Sequence, residues 1–274
     1  MRIGRVEKTV DYVILSVFAL FALLPLVGVL FSSVIPAGDN TGGFQLPQTV
    51  RLQNYTDAWT EGHFSTYMAS SVLVAVAVVL LTFVLATLAG YAFARMTFPG
   101  SGILFFVLLV GLMLPEEAFI IPLYFNLRTA GLTDTYWALI LPQTAQSLGF
   151  AAFWMRNHFR AFPGEIIEAA RLDGASDSRL LWRVLVPASW PSIGTMAVLV
   201  GMWTWNEFLI PLVMITQDQL RTAPLGLAFF QGQHMTNYSL LSAAGVLIAL
   251  PIVILYLVLQ RRLISGIAGG VGTR

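Results

Sequence analysis

Long runs of predominantly apolar residues are the feature of this sequence that most restricts its fold. A helix that crosses a bilayer needs about 20 apolar residues, because each residue rises about 1.5 Å. Backbone amides and carbonyls inside hydrocarbon must bond within their own segment, so such runs fold as helices. Six runs meet the requirement, at about 12–33, 68–91, 102–121, 136–155, 191–215 and 239–260. The sequence therefore predicts an all-α membrane protein with six transmembrane helices.

Charge supports this fold class and predicts its orientation. Charged residues make up 11% of the chain, against about 25% in soluble domains, so the composition is that of a membrane protein. Of the 15 Lys and Arg residues, only Arg51, Arg128 and Arg221 fall on one side of the six-span arrangement. The opposite side faces the cytoplasm by the positive-inside rule. The predicted N-in/C-in chain consists of a cytoplasmic N-terminus (1–11), a six-span domain (12–260) and a cytoplasmic Gly-rich tail (261–274).

Several common chemistries have no signature in the sequence. The chain has no cysteine, and its single lysine, Lys8, follows Glu7, which excludes a thiolate metal site and a Gly-Lys-Ser/Thr phosphate loop. No basic stripe with interleaved aromatic residues indicates a nucleic-acid partner. A membrane-embedded enzyme built on Glu116, Glu117 and Asp134 stays open as an alternative, although these residues form no recognisable nucleophile or metal set.

The cytoplasmic loop at 156–190 carries strong local signals for structure. Pro163 needs no amide in a first helical turn, so a helix of about ten residues is predicted to begin near it. Gly174 tolerates the left-handed conformation that ends a helix. The predicted apolar face of this helix consists of Ile166, Ala169 and Ala170.

A second helix is predicted to follow in the same loop. Ser176 can cap it, and Pro187 is predicted to end it. Its apolar stripe consists of Leu180, Leu181, Val184 and Leu185. The resulting helix-turn-helix has two interpretations that periodicity leaves open. It folds back on its own membrane helices, or it docks a partner through its alanines and the acids Glu168 and Asp173.

The spacing in this loop resembles that of a known family. Glu168-Ala169-Ala170 is followed by Gly174 and, after nine residues, by Val184-Leu185-Val186-Pro187. This resembles the EAA loop of permease subunits in binding-protein-dependent ABC importers, with Val184 and Val186 where Ile and Leu are usual. Further matches are Met113-Leu114-Pro115, Ile121-Pro122-Leu123-Tyr124, Gly131-Leu132-Thr133-Asp134-Thr135, Trp205-Asn206-Glu207-Phe208 and Gln260-Arg261-Arg262. Together they resemble the carbohydrate-uptake branch, in particular the smaller permease of the maltose-type system.

The resemblance implies partners and a role for the chain. The helix-turn-helix would be a cytoplasmic coupling element between spans 4 and 5, docked on a dimer of ATPase subunits that bind ATP and Mg. The implied coupling residues are Glu168, Ala169, Ala170, Arg171, Asp173, Gly174 and Pro187. The other implied partners are a second, longer permease, an extracytoplasmic solute-binding protein and lipid of a prokaryotic plasma (inner) membrane. The chain itself would be non-catalytic and hold no cofactor.

The resemblance also implies the solute class, a mono- or oligosaccharide, with a polyol or glycerol phosphate as the alternative. An ion-coupled secondary transporter using Glu207 is a rival, although it has no reason to carry a docking loop.

Polar residues inside the predicted spans are candidates for the solute path, because such residues usually face the bundle interior or a water-filled cavity. The candidates on the fourth span are Gln143, Gln146, Ser147, Phe150 and Trp154, and those on the fifth are Asn206 and Glu207. Hydrogen bonding between helices is the alternative role. Glu116 and Glu117 lie beside Pro115, where the third span is predicted to bend or end. They either touch the solute path or are paired or exposed near the outer surface. Ala86, Gly90 and Ala94 predict a close helix approach, within the chain or against a second permease.

Overall fold

The computed structural model describes residues 5–230 and 237–270, with side chains described from 7 to 258 except 229 and 231–236. All regular structure in these ranges is helical, as predicted. The helices are α1 (Arg5–Val34), α2 (Gln53–Glu61), α3 (Phe64–Arg95), α4 (Ser101–Val110), α5 (Glu116–Thr129), α6 (Trp137–Arg160), α7 (Gly164–Leu172), α8 (Asp177–Leu180), α9 (Val186–Ala188), α10 (Trp190–Asn206), α11 (Leu209–Met214), α12 (Ala223–Gly226) and α13 (Tyr238–Gly270). The chain divides into two compact units, 1–65 with 226–253 and 66–225 with 254–274.

Three helices in the described ranges are long and apolar enough to cross a membrane, namely α1, α3 and α13. Two bent helix pairs bring the number to five if each pair is one span. The predicted fourth span, α6, falls outside this set because amide and hydroxyl side chains lower its hydropathy, although its 24 residues extend about 36 Å. Helix α13 continues through Gly270, past the predicted boundary at 260, and residues 271–274 of the predicted tail lie outside the described ranges.

Two buried asparagines organise the first unit. Asn54 donates to the carbonyls of Ser33 and Ile35 at 2.9 and 2.8 Å and so fixes α2 against the end of α1. Asn40 donates to Ser32 and Ser239 hydroxyls at 2.8 and 3.0 Å. These bonds satisfy polar groups at the end of α1, where the helix leaves carbonyls without intrahelical partners.

Helix α6 is the central element of the second unit. Its buried residues are Ala138, Leu139, Ile140, Gln143, Thr144, Ser147, Gly149, Ala151, Ala152, Met155 and Phe159. Small residues allow its neighbours to come close. A Cβ on Gly90 of α3 would lie 2.6 Å from Met155 Cβ. Ala86 and Gly90 of the predicted stripe are buried and Ala94 packs against the core, so the close helix approach lies within the chain.

The predicted bend at Pro115 is confirmed. The helical segments before and after it meet at 103°. Leu114 is extended, with φ −84° and ψ 128°, as the residue before a proline prefers to be. Glu116 and Glu117 then occupy the first turn of α5, where acids suit the helix dipole.

The prediction of one continuous helix over 191–215 is wrong. The chain leaves helical geometry at Glu207, between α10 and α11. Pro211 has no N–H to bond the carbonyl of Glu207, and its ring would clash with that carbonyl. The Glu207 carboxylate instead accepts a bond from the Ile210 N–H at 3.0 Å and stabilises the start of α11.

Candidate functional site

The predicted helix-turn-helix is present, and we call residues 164–188 the elbow. Its first helix, α7, has nine residues and begins after Pro163, which caps the helix with ψ 129° instead of occupying its first turn. The predicted apolar face is partly wrong. Ile167, which is 8% exposed, and Ala170 pack on the core, whereas Ile166 and Ala169 are exposed.

The other face of α7 is open to solvent. Leu172 is 88% exposed, and Glu165, Glu168 and Ala169 are exposed on the same side of the helix. Glu168 forms no hydrogen bond or ion pair with any described residue. An apolar side chain this exposed, beside acids and a small residue, forms a surface that a partner can cover.

The turn of the elbow is a Schellman motif. Gly174 has φ +79°, and its N–H donates to the carbonyl of Arg171 at 3.0 Å. The N–H of Ala175 donates to the carbonyl of Ala170 at 3.0 Å. These two bonds satisfy carbonyls at the end of α7 and require a left-handed residue, which confirms the predicted turn at Gly174.

The second helix of the elbow begins as predicted and ends differently. Ser176 accepts a bond from the N–H of Arg179 at 3.4 Å. The stripe residues Leu180, Leu181 and Leu185 are buried. The prediction that Pro187 ends the helix is wrong. A π-helical turn over Leu181–Leu185 widens the helix before the proline, and helical geometry continues through α9 to a break at Ser189.

One carboxylate joins the two arms of the elbow to the membrane part of the second unit. Asp177 Oδ1 lies 2.9 Å from Arg171 Nη2, in an ion pair between α8 and α7. The same oxygen accepts a bond from the hydroxyl of Tyr91 on α3 at 2.8 Å. Arg171, predicted as a coupling residue, is thus engaged inside the elbow.

The base of the elbow is held at two further places. Arg95 Nη2 donates to the carbonyls of Phe159 and Phe162 at 2.6 and 2.9 Å, and so caps the end of α6. His158 Nε2 lies 3.0 Å from Ser189 Oγ, at the break between α9 and α10. Burial lowers the pKa of His158, because the charged imidazolium is poorly solvated there.

A cleft of about 580 Å³ in the second unit collects most of the predicted path residues. Its lining comprises Leu112, Glu116, Gln146, Ser147, Phe150, Leu199, Met202, Trp203, Asn206 and Glu207. Gln146 Nε2 donates to Glu116 Oε2 at 2.8 Å, and the rings of Phe150 and Trp203 lie 4.8 Å apart, edge to face at 72°. The bend at Pro115 and the break at Glu207 therefore place Glu116 and Glu207 in the same cleft.

The remaining predicted path residues lie elsewhere. Gln143 is 3% exposed, and neither of its amide atoms has a hydrogen-bond partner. Trp154 Nε1 donates to the carbonyl and hydroxyl of Ser192 at 3.1 and 2.9 Å, which joins α6 to α10. Glu117 is exposed and does not line the cleft. Trp203 was missed, although its spacing from Leu199 and Asn206 places all three on one helical face.

The carboxylate of Asp134 is held by hydrogen bonds that join two segments of the chain. It adopts φ +56°, and its carboxylate accepts bonds from the Thr216 N–H, the Thr216 hydroxyl and the Gln217 N–H at 2.6, 2.7 and 3.0 Å. The bonds from Thr216 and Gln217 lower the pKa of Asp134. Both oxygens join the loop before α6 to the segment after α11, which argues against the role in an enzyme considered above.

Residues 86–269 match the family described as binding-protein-dependent transport system inner membrane component. The diacetylchitobiose uptake system permease protein of Streptomyces coelicolor is 32% identical, over 95% of this chain and 87% of that protein. The arabinooligosaccharides transport system permease protein of Halalkalibacterium halodurans is 33% identical, over 92% and 91%.

The trehalose transport system permease protein of Mycobacterium tuberculosis is 31% identical, over 91% of this chain and 92% of that protein. A solved bacterial ABC transporter involved in the import of the acidic polysaccharide alginate has the same fold, with a TM-score of 0.81 and 23% identity over 95% of this chain and 98% of that one.

The chain therefore belongs to the family of inner-membrane components of binding-protein-dependent transport systems. It is a permease subunit of an ABC importer, a non-catalytic protein of the inner membrane.

Proposed function

We propose that this chain is the smaller permease of an ATP-driven importer for a mono- or oligosaccharide. The permeases of Streptomyces coelicolor, Halalkalibacterium halodurans and Mycobacterium tuberculosis are named for the uptake of diacetylchitobiose, arabinooligosaccharides and trehalose. The exposed face of α7 carries the proposal, because a surface of acids and small or apolar residues suits docking to an ATPase.

The finer topology belongs to this proposal. In it α4 together with α5, α6 and α10 cross the membrane in addition to α1, α3 and α13, which gives six spans. Both termini and the elbow face the cytoplasm, which agrees with the distribution of Lys and Arg. Polar side chains on α6 are tolerated because Gln143, Thr144 and Ser147 are buried within the unit and Gln146 lines the cleft.

Coupling in this proposal is mechanical. Two ATPase subunits bind ATP and Mg, close, and carry the elbow with them. Glu168 forms the ionic contact with an arginine of the ATPase, Ala169 and Asp173 add a small and an acidic side chain to the docking surface, and Gly174 fixes the angle between the arms. Arg171 and Pro187 act within the elbow, since Arg171 pairs with Asp177 and Pro187 follows the π-helical turn.

Further partners follow from the same proposal. The apolar stretch of α1 is not buried by any described part of the chain, which suits contact with lipid and with a second, longer permease. An extracytoplasmic binding protein delivers the solute. The solute then passes along the cleft lined by Gln146, Ser147, Phe150, Asn206 and Glu207.

The test is uptake by vesicles that contain the purified complex and its binding protein. ATP enclosed with the ATPase is expected to drive accumulation of the saccharide without an ion gradient, and a separate ATPase is expected to co-purify with the chain. Uptake that follows an imposed proton or sodium gradient and ignores ATP would instead identify the ion-coupled secondary transporter.

A further inference from the structure

We infer that the cleft in the second unit binds the solute directly and selects against negative charge, so that neutral and amino-bearing saccharides pass and anionic ones are rejected. This inference rests on the proposed sugar import and names the class of sugar. It assigns the selectivity to Glu116 and Glu207.

The cleft has the chemistry of a saccharide site. Two carboxylates and no basic side chain lie among the described residues that line it. Glu116 lies in the first turn of α5 and Glu207 at the end of α10, so the two acids reach the cleft from different helices. Carboxylate oxygens accept bonds from sugar hydroxyls or ammonium groups, whereas a carboxylate or phosphate on the solute would meet two like charges.

Two observations besides the acids point to a ligand. Ser147 is 6% exposed, lines the cleft, and its hydroxyl makes no hydrogen bond with any described residue. Glu116 Oε1 is buried and also lacks a donor. Buried polar atoms are costly when unpaired, so a solute that supplies hydroxyls would satisfy both atoms.

The aromatic pair completes the site. Trp203 and Phe150 meet edge to face, which leaves the face of one ring available to the apolar side of a sugar. The cleft volume of about 580 Å³ lies within the range of small-molecule sites and suits one or two sugar rings. The charge at the site also argues against the glycerol phosphate alternative.

The experiment titrates the purified importer complex with glucose, glucosamine and glucuronate, which share one ring and differ in charge. Binding is followed by quenching of Trp203 fluorescence, as the difference between the wild type and Trp203→Phe. Glucuronate is expected to bind at least ten-fold more weakly than glucose, and glucosamine at least as tightly. In the double variant Glu116→Gln/Glu207→Gln the gap between glucose and glucuronate is expected to fall below three-fold.

Glu117→Gln is the matched control, because this exposed neighbour does not line the cleft and the full gap should persist. Equal affinity for glucose and glucuronate, an unchanged gap in the double variant, or no sugar-dependent signal from Trp203 would overturn the inference. ATP-driven uptake is measured on the same preparations. If ATP-driven uptake is observed together with any of these results, sugar import stands and only the charge selectivity is overturned. If the wild type shows no ATP-driven uptake, the proposed function itself is refuted.

Discussion

The hydroxyl of Tyr91 donates to Asp177 Oδ1 at 2.8 Å, so a helix of the membrane domain is bonded directly to the elbow. Because the acceptor is charged and the site is partly buried, the bond is expected to contribute about 1–3 kcal/mol to the local stability of the elbow. Tyr91→Phe should therefore raise hydrogen exchange over 164–183 and increase the ATP hydrolysed per solute imported. Tyr124→Phe is the control, since the Tyr124 hydroxyl has no described hydrogen bond.

Gly174→Leu is expected to distort the turn of the elbow. A side chain at φ +79° costs about 1–2 kcal/mol, although no neighbour lies within 4 Å of the added Cβ. We expect normal membrane insertion together with ATP hydrolysis that no longer drives uptake. Gly164→Leu is the matched control, because Gly164 also has open space around it but begins α7 with ordinary helical geometry. Equal uptake in the two variants would contradict this role of the turn.

Glu168→Lys tests the docking surface. The substitution reverses an exposed charge without removing any described contact, so the thermal stability of the chain should change by less than about 0.5 kcal/mol. Recovery of the ATPase with the purified chain is expected to fall, and uptake with it. Ser178→Lys introduces a lysine at an exposed position on α8 and should retain the ATPase. Full recovery of the ATPase with the Glu168 variant would remove Glu168 from the interface.

The stability of the chain is expected to depend on pH through His158, which lies at the base of the elbow. Its folded-state pKa lies below the ordinary value of about 6.5, so the unfolded state binds the proton more readily. Stability from this group is therefore complete above about pH 6.5 and declines as pH falls toward the folded-state pKa, by at most about 1.4 kcal/mol per pH unit. The fall in melting temperature between pH 7.5 and 5.5 should shrink in His158→Gln.

Local signals predicted the elbow well because its turn depends on adjacent residues. Gly174 and Ser176 occupy the positions that their backbone chemistry favours, whatever surrounds them. The buried face was harder to predict. Ile166 and Ile167 are adjacent and equally apolar, and only the position of the second unit's core decides that Ile167 is buried.

Predicting the solute cleft required locating the breaks in two helices. Pro115 predicted the first break, and the position of Glu116 directly after that break could be expected from the sequence. The break at Glu207 follows from Pro211, four residues later, which hydropathy alone does not register. Gln143 and Trp154 share the helical face of Gln146, but neighbouring helices cover that face at both ends. Periodicity identifies a face and not the part of it that remains open.

Arg95 has a consequence for how the permease can move. Its guanidinium holds the last carbonyls of α6 from the end of α3, and Gly90 brings the same two helices into backbone contact. Helices α3 and α6 must then move as one rigid body during the transport cycle, and bending is confined to the interruptions at Pro115 and Glu207. Spin labels on α3 and α6 should keep a constant separation whether or not nucleotide is bound, while labels on α4 and α5 should not.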